Sequence, residues 1–358
     1  MNITHNLIDN PFFSICIPHH NRTSFMIEAC RSLVNQKFKN FEICVSDDCS
    51  TDGREEELVG FLKQSGISFI YYKLEKNVKY DANLRSSIGL ARGKYCFLLG
   101  NDDCLSSPHT LELLCNDINK FMSPDVVLTN YKKFADGREF RRIERTGIIG
   151  AGPGVAASNF RKFSFVSGII LNASKSKSHA ADQWDGSEMY QTFIACRMIS
   201  RGSILLGIDE CSVMQGIKIR GQEVESYASR ARITKCSVME RHIPLNSYGK
   251  LVIDGIGSCG SSRQKRKNNE YVIRQILFFT YPYWIFEYRR VQSWRYALGI
   301  CLGMRPGNIL AGVDLSFWQI IKIRIIYGLV SLMALSVPTQ IFIFAYPMLY
   351  KFTKRNFG

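Results

Sequence analysis

Short apolar segments alternate with amphipathic segments over residues 12–130, and this alternation is the strongest constraint on the fold. Residues 13–17 and 41–45 are short runs rich in β-branched and aromatic side chains, which is typical of buried strands. Between them, apolar residues recur at i, i+1, i+4, i+7 and i+8 from Met26, the spacing of one helix face. Strands that alternate with helices predict right-handed crossovers and a largely parallel sheet. The sequence therefore predicts an α/β fold.

Polar stretches follow the first, second and fourth predicted strands. In such a sheet the ligand binds beyond the carboxyl ends of the strands, so the three stretches should open onto one crevice. Two of them carry adjacent acids, and acids at a strand end are costly unless a cation or hydrogen-bond donors neutralise them. Each acid pair alone also fits a helix cap or a plain turn, but their shared edge favours a binding site. The stretches are residues 18–22, 46–52 with Asp47 and Asp48, and 100–103 with Asp102 and Asp103.

The distribution of charge separates the two ends of the chain. It has 46 Lys and Arg against 31 Asp and Glu, a net charge of +15, which is typical of proteins that bind nucleic acid, an anionic membrane or phosphate-bearing substrates. Residues 259–358 hold fourteen of the basic residues and only three of the acidic ones. Residues 257–269 are rich in Gly, Ser, Lys and Arg, so we predict a main domain of residues 1–258 and a basic C-terminal region of residues 259–358.

The C-terminal region contains a long uncharged segment. Residues 325–350 carry no charged side chain and exceed the length of about 20 residues that crosses a bilayer. Pro338 and Pro347 would interrupt a simple spanning helix, and basic residues flank both ends. The segment fits a shallow helix pair on the membrane surface, a spanning helix or a buried core helix. We expect a helical region that associates with an anionic membrane.

The cysteines and the N-terminus indicate a reducing compartment. None of the twelve cysteines shows CxxC spacing, which disfavours a zinc ribbon or a thioredoxin-type site. Residues 1–10 lack the positive and apolar parts of a signal peptide. We therefore expect a protein on the cytoplasmic side of the membrane.

Four segments in a fixed order resemble the inverting family 2 glycosyltransferases. They are SICIPHHNR at 14–22, SLVNQKFKNFE at 32–42, VSDDCSTDG at 45–53 and IGLARGKY at 88–95. The resemblance covers about residues 12–215 and extends to O-antigen sugar transferases, including abequosyltransferase-like members. It implies a GT-A fold, which is a Rossmann-like mixed sheet that binds nucleotide-diphospho-sugars. It also implies sugar transfer to a carbohydrate acceptor with inversion, and a divalent Mg or Mn cofactor.

The same resemblance implies a donor pocket. Pro18 and His20 would line the nucleobase pocket, Asp48 would accept a hydrogen bond from the base, and Lys79 would contact the diphosphate. His20 departs from the tyrosine that is usual in the family. The remaining donor-binding candidates are Asn21, Arg22, Asp47 and Asn101.

Asp102 matches the metal-binding aspartate of the family's D-x-D motif, and Asp103 would share the site. A departure precedes them, because Gly100 stands where the first aspartate is expected. Coordination would then depend on Asp102 with phosphates and water. Such a site suits Mg²⁺ or Mn²⁺, which bind one or two carboxylates and substrate phosphates.

The catalytic base also departs from the family pattern. An inverting transferase needs a carboxylate to deprotonate the acceptor hydroxyl. The family's Glu-Asp pair falls on Tyr190 and Gln191, when aligned on the arginine and glycine that follow. Nearby acids are Glu188, Asp185 and Asp182, and we favour Glu188 over Asp185.

The basic, apolar C-terminal region suggests a lipid-linked acceptor, such as a polyprenyl-diphosphate oligosaccharide, at the cytoplasmic face of the inner membrane. The protein would be peripheral or would have one C-terminal membrane segment. Teichoic or capsular acceptors fit equally. A nucleotidyltransferase is a weaker alternative, because it would normally have a Gly-rich loop with Arg and Lys in place of residues 18–22. A nucleic-acid-binding protein is also disfavoured, because the basic region is so apolar, and we expect no nucleic-acid partner.

Overall fold

The structure is a computed structural model that describes residues 2–219, 243–257, 261–291 and 293–345. It divides into two compact units, Met1–Glu223 and Val224–Gly358. The helix Ile243–Ile256 thus belongs to the second unit, whereas the composition of residues 257–269 predicts a main domain that extends to residue 258. The ten cysteines of the described part are free thiols.

The first unit is built on an eleven-stranded mixed sheet. Its strands are β1 (Asn2–His5), β2 (Phe13–His19), β3 (Phe41–Asp47), β4 (Phe69–Lys73), β5 (Tyr95–Leu98), β6 (Cys104–Leu105), β7 (Val126–Lys133), β8 (Glu139–Phe140), β9 (Gly147–Gly150), β10 (Ile169–Asn172) and β11 (Leu205–Gln215). Their order is β1-β4-β3-β2-β5-β10-β7-β11-β6, with β8 on β7 and β9 on β11.

Seven helices surround this sheet along the chain. They are α1 (Thr23–Val34), α2 (Glu55–Gln64), α3 (Lys79–Leu90), α4 (Thr110–Lys120), α5 (Pro153–Asn159), α6 (Ala173–Ser178) and α7 (Tyr190–Ser200), with a short 3₁₀ helix at Phe160–Phe163. Strands β2 and β3 are buried on both faces, as expected of parallel strands with helices on each side. The predicted alternation of strands and helices is therefore confirmed.

The direction of the strands determines which loops meet. Strand β2 pairs in parallel with β3 and β5, so the polar stretches after these three strands open onto one edge. Strand β10 runs antiparallel to both β5 and β7, and β7 is parallel to β11. The carboxyl ends of β7 and β11 therefore reach the same edge as those of β2, β3 and β5.

The second unit is helical in its described part. Its helices are α8 (Ile243–Ile256), α9 (Ser262–Gln275), α10 (Tyr281–Val291), α11 (Trp294–Gly303), α12 (Pro306–Ile309) and α13 (Phe317–Ser336), and a π-helical turn at Ile276–Thr280 joins α9 to α10. Among the described residues, α13 alone is long and apolar enough to cross a membrane.

Helix α13 has defined ends. Ser316 and Gln319 form a capping box at its start. At its end, the Arg289 guanidinium donates to the carbonyl oxygens of Ala334 and Val337 at 2.7 Å each. The chain is helical again over residues 339–345, and residues 346–350 of the uncharged segment lie outside the described residues. The predicted interruption at Pro338 is thus observed.

Candidate functional site

Arg22 and Asp102 meet at the ends of two adjacent parallel strands. Arg22 Nη1 lies 3.1 Å from Asp102 Oδ2, although the residues are 80 positions apart. Asn21 and Arg22 both adopt left-handed backbone conformations, with φ of 53° and 58°, which turn the chain from β2 into α1. The side chains of the pair are 33% and 23% exposed, so a ligand can reach them. The ion pair joins two of the three polar stretches.

Asp47 and Asp48 are buried at the end of β3. The Asp48 carboxylate accepts hydrogen bonds from the backbone N–H groups of Val78 at 2.5 Å and Lys79 at 3.0 Å. Asp47 accepts from the Ser50 N–H at 2.8 Å and from the Tyr71 hydroxyl. Hydrogen-bond donors therefore neutralise this acid pair. Asp48 also fixes the start of α3, where the Lys79 side chain is exposed.

His20 presents an exposed imidazole beside Asp48. Its Nδ1 lies 3.0 Å from the Asp48 carbonyl oxygen, and its Nε2 lies 3.3 Å from Asn77 Nδ2. Pro18 is buried within β2 just before it. Asn101 Nδ2 lies 3.3 Å from Nδ1 of the buried His19, which links the loop after β5 to the end of β2. A planar ring held at its edges is suited to stacking against a planar base.

Asp103 is buried behind Asp102. Its carboxylate accepts from the Ser167 hydroxyl at 2.5 Å and from the Gly216 N–H at 2.8 Å. Burial, with a further contribution from Asp102, raises the pKa of Asp103 to about 7. The space above Gly100 is filled, since a Cβ there would lie 3.0 Å from Asp103 Oδ2 and 3.2 Å from Asp102 Oδ1. The two acids thus take the place that a third acid at position 100 would need.

Asp102 and Asp103 are the acids available for a metal ion at the end of β5, as expected for a metal motif that lacks its first aspartate. Within residues 2–219 and the described helices of the second unit, no group of three or more His, Cys, Asp or Glu side chains could hold a metal ion. Asp102 is partly exposed, whereas the oxygens of Asp103 already accept hydrogen bonds. This donor set fits a Mg²⁺ or Mn²⁺ ion held by Asp102 together with substrate phosphates.

The loop that carries Glu188 is organised by Asp81, a residue that no sequence motif indicates. The buried Asp81 carboxylate accepts from the N–H groups of Gly186, Glu188 and Tyr190 at 2.8–2.9 Å. These bonds cap α7 and hold Glu188 in a left-handed conformation, with φ of 57°. A lone aspartate in the first turn of α3 gives no sequence signal for a contact more than 100 residues away.

The two candidate bases have different surroundings. Asp185 forms a bidentate ion pair with Arg85, at 2.5 and 2.7 Å. Glu188 instead contributes, with other carboxylates, to the negative charge around the Tyr80 hydroxyl. Burial raises the pKa of Tyr80 and the charges of four carboxylates raise it further, those of Asp81, Glu188, Asp103 and Asp102.

Tyr190 and Gln191 stand at the positions of the family's Glu-Asp pair, and both are buried. Gln191 accepts a hydrogen bond from the Tyr80 hydroxyl at 3.2 Å and donates to the Ser164 carbonyl oxygen at 3.1 Å. Its amide therefore packs into the wall beside Tyr80.

Arg142 is a second supporting residue that no sequence motif indicates. Its guanidinium donates to the carbonyl oxygens of Thr129 at 2.8 Å and of Phe165 and Ser167 at 2.9 Å. Burial lowers its pKa to about 10. Ser167 in turn bonds Asp103 and the Gly100 N–H. Arg142 thus supports the loop after β5, a role that its charged surroundings in the sequence do not reveal.

Solved structures share this architecture. That of S. aureus TarS in complex with UDP matches with a TM-score of 0.59 at 16% identity, over 88% of this chain and 90% of that chain. That of a mannosyltransferase from Pyrobaculum calidifontis in complex with GDP-Man and Mn²⁺ has a TM-score of 0.51 at 11% identity, over 94% of this chain and 90% of that chain. The predicted GT-A fold is confirmed.

Curated relatives match part of the chain. Abequosyltransferase RfbV of Salmonella typhimurium is 39% identical over 95 residues, which cover 26% of this chain and 28% of the relative. Glycosyltransferase GlyG of Streptococcus pneumoniae is 26% identical over 121 residues, which cover 34% of this chain and 39% of the relative. The chain thus matches less than two fifths of the length of either relative. The model of glycosyl transferase family 2 matches residues 14–201, more than half of the chain. The chain therefore belongs to glycosyl transferase family 2.

Proposed function

We propose that the protein is an inverting, divalent-metal-dependent glycosyltransferase that moves a sugar from a nucleotide-sugar to a carbohydrate acceptor. The observation that carries this proposal is the Arg22–Asp102 pair at the ends of β2 and β5, beside the loop that Asp48 anchors. The UDP and GDP-Man bound to the similar structures support the class of donor. For the acceptor we propose a lipid-linked oligosaccharide used in bacterial surface polysaccharide, because the second unit carries a long apolar helix.

In this proposal the nucleobase stacks on His20 above Pro18. Asp48 already accepts two backbone N–H groups, but a carboxylate offers about four acceptor sites, so it can also accept from the base. Arg22 and the exposed Lys79 would bind the diphosphate. Asn21, Asp47 and Asn101 act by holding the loops, since their side chains are bonded to neighbouring segments.

A bound Mg²⁺ or Mn²⁺ ion would offset the charge that develops on the leaving diphosphate. Asp102 would hold it with the donor phosphates. Asp103 would orient the loop, because Ser167 and Gly216 already bind its oxygens. Arg22 balances the charge of Asp102 and would then also contact the phosphates.

We propose Glu188 as the base. The acceptor hydroxyl attacks the anomeric carbon, its proton passes to the Glu188 carboxylate, and the bond from the anomeric carbon to the phosphate oxygen breaks to release the nucleoside diphosphate. A single displacement inverts the anomeric configuration. We favour Glu188 over Asp185 because Arg85 forms a bidentate ion pair with Asp185. In addition, Glu188 and Asp102 both contribute negative charge around the Tyr80 hydroxyl.

Equilibrium binding of a panel of nucleoside diphosphates, with and without Mn²⁺, tests the proposal. We expect Mn²⁺ to increase the affinity for one of them by tenfold or more, which is about 1.4 kcal/mol. The Asp102→Asn substitution should remove this increase. Asp117→Asn on α4 is the matched control and should retain it. Equal metal dependence in both variants would contradict the site.

We also propose that the second unit binds the cytoplasmic face of the membrane. Ile325, Leu329, Leu332 and Met333 lie on one exposed stripe of α13, and Ile323 on the other side is buried. This apolar stripe follows Lys322 and Arg324 on the same helix, a combination that is typical of a helix at an anionic lipid surface.

A shallow orientation of α13 is favoured over a spanning one. Arg289 of α10 bonds the carbonyl oxygens at the end of α13, and α10 also carries Glu287 and Arg290. A spanning α13 would draw these charges toward the far side of the bilayer, where each is costly.

Cosedimentation with phosphatidylglycerol vesicles tests this surface. Leu329→Glu with Leu332→Glu should release the protein, while Leu7→Glu, a change at an exposed leucine of the first unit, should not. Retained sedimentation of the double variant would refute the proposal.

A further inference from the structure

The hairpin of β7 and β8 has two faces of different charge. Lys132 and Lys133 point to opposite faces, because side chains alternate along a strand. On the Lys132 face the charges are balanced. Arg141 binds Glu139, which pairs with Lys132 across the hairpin, at 2.9–3.0 Å. Burial raises the pKa of the Cys211 thiol on this face. The charges of Glu139 and Glu210 also raise this pKa, whereas those of Arg141 and Lys132 lower it.

The Lys133 face is aromatic and cationic. The rings of Tyr131 and Phe140 stack with centroids 5.0 Å apart, and Tyr131 also contacts Phe165 at 4.2 Å. Lys133 Nζ lies 5.9 Å and Arg138 Cζ 5.1 Å from the centre of the Phe140 ring. In the part of the chain that the structure describes, neither cation has a carboxylate within 4.0 Å. The Phe140 ring attracts the side chains of Lys133 and Arg138 by cation–π interactions but leaves their positive charges in place.

This face adjoins the proposed metal site. Lys133 pairs with Gln215 of β11, and the next residue, Gly216, donates to Asp103. Neighbouring strands are about 4.8 Å apart. The Cα atom of Lys133 is therefore one strand and one residue away from Gly216, which donates to Asp103. Arg142 lies over the Tyr131 ring at 5.2 Å and supports the same loop.

The hairpin and the donor pocket lie on opposite sides of β5 in the sheet. Strands β2 and β3 bring His20, Asp48 and Arg22 from one side, and β7 and β11 lie on the other. Donor phosphates would be met by Arg22, Lys79 and the metal at Asp102. The cations of the hairpin would therefore be left for a different anion, on the side from which an acceptor would approach.

We propose that Lys133 and Arg138 form an anion subsite, here called the hairpin subsite, that binds the phosphate or diphosphate of a lipid-linked sugar acceptor. The inference rests on the proposed transferase function and adds a recognition element for its second substrate. A neutral oligosaccharide would supply no counter-charge to these two cations, which pair with no carboxylate among the described residues. A phosphate-bearing glycolipid supplies that charge, and its sugar can lie against the rings.

The test uses the full chain and farnesyl diphosphate as the probe. The donor site is first filled with Mn²⁺ and the nucleoside diphosphate that binds best, and binding is measured by calorimetry. Lys133→Gln with Arg138→Gln should weaken the probe at least tenfold, while the matched control Lys132→Gln on the balanced face should change it less than twofold. Farnesol, which lacks the diphosphate, should not distinguish the variants.

Each other outcome is decisive. Unchanged probe affinity in the double variant overturns the hairpin subsite. If the double variant binds the nucleoside diphosphate more weakly, the two cations belong to the donor site. If only its binding to phosphatidylglycerol vesicles is weakened, the cations belong to a membrane-binding surface. Either result also overturns the hairpin subsite. A wild-type protein that binds the probe through these residues but binds no nucleoside diphosphate would contradict the proposed transferase and leave the subsite standing.

Discussion

Replacing Gly100 with aspartate would restore the family's first metal-motif acid, and we expect it to destabilise the protein. A Cβ at this position would lie 3.0 Å from Asp103 Oδ2, 3.2 Å from Asp102 Oδ1 and 3.4 Å from the Ser167 hydroxyl oxygen. These distances are shorter than an ordinary contact of about 3.5–4.0 Å. The methyl group alone, in Gly100→Ala, should therefore cost about 1–3 kcal/mol, the usual cost of overpacking.

The carboxylate of Gly100→Asp adds repulsion to this steric cost. A third negative charge about 4 Å from Asp102 would cost about 4 kcal/mol at an effective dielectric constant of 20. Proton uptake relieves part of it, because the pKa of Asp103 is already raised to about 7. We expect Gly100→Asp to be about 2–4 kcal/mol less stable than Gly100→Ala at pH 8.

The pH dependence has a definite sign. A carboxyl group whose pKa is raised on folding binds more protons in the folded state than in the unfolded state, so stability falls as pH rises. The gap between Gly100→Asp and Gly100→Ala should therefore narrow from pH 8 to pH 5. Urea unfolding of both variants at the two pH values measures it. Equal stability of the two variants at pH 8 would refute the electrostatic reasoning.

Three further predictions concern the residues around this loop. Arg142→Met leaves four carbonyl oxygens without their donor and should lower the free energy of unfolding by about 3 kcal/mol in urea. Arg141→Met, at the exposed neighbouring arginine, should change it by less than about 0.5 kcal/mol. Glu188→Gln should abolish sugar transfer in a product assay without weakening nucleoside diphosphate binding, whereas Asp185→Asn should retain most of the activity. Asp81→Ala should lower stability by about 2–4 kcal/mol and also reduce the transfer rate, because three N–H groups of the loop before α7 lose their acceptor.

Each of these predictions has a result that contradicts it. The same urea midpoint for Arg142→Met and Arg141→Met would show that the buried carbonyl oxygens do not need the guanidinium. Equal loss of transfer in Glu188→Gln and Asp185→Asn would remove the distinction between the two acids. An Asp81→Ala variant that is destabilised but turns over at the wild-type rate would show that the loop does not position the base.

The donor side of the site could be predicted from sequence because its parts are local. Each polar stretch follows its own strand, and parallel pairing brings Arg22 and Asp102 together without further information. The sequence also predicts that either a cation or hydrogen-bond donors compensate the charges of Asp47 and Asp48, and the structure shows hydrogen-bond donors. What the sequence did not reveal is that backbone groups at the start of α3 supply the donors to Asp48.

The residues that were missed act over long separations. Asp81 binds a loop more than 100 residues away, and Arg142 reaches carbonyl oxygens on segments 13–25 residues from it. Neither has a motif, because an aspartate early in a helix and an arginine beside another arginine are common on protein surfaces. Such contacts depend on the sheet order, which places β10 between β5 and β7 although it follows both in the chain.

That sheet order also affects how such an enzyme can diversify. The side chains proposed for the nucleotide come from strands on one side of β5, and the hairpin subsite comes from strands on the other. With the acceptor bound at the proposed hairpin subsite, mutations that alter acceptor choice would accumulate in the β7–β8 hairpin without disturbing donor recognition. A lineage whose surface sugars are under immune selection could exchange one substrate and keep the other, and chimeras joined within the loop after β5 would offer a laboratory route to the same separation.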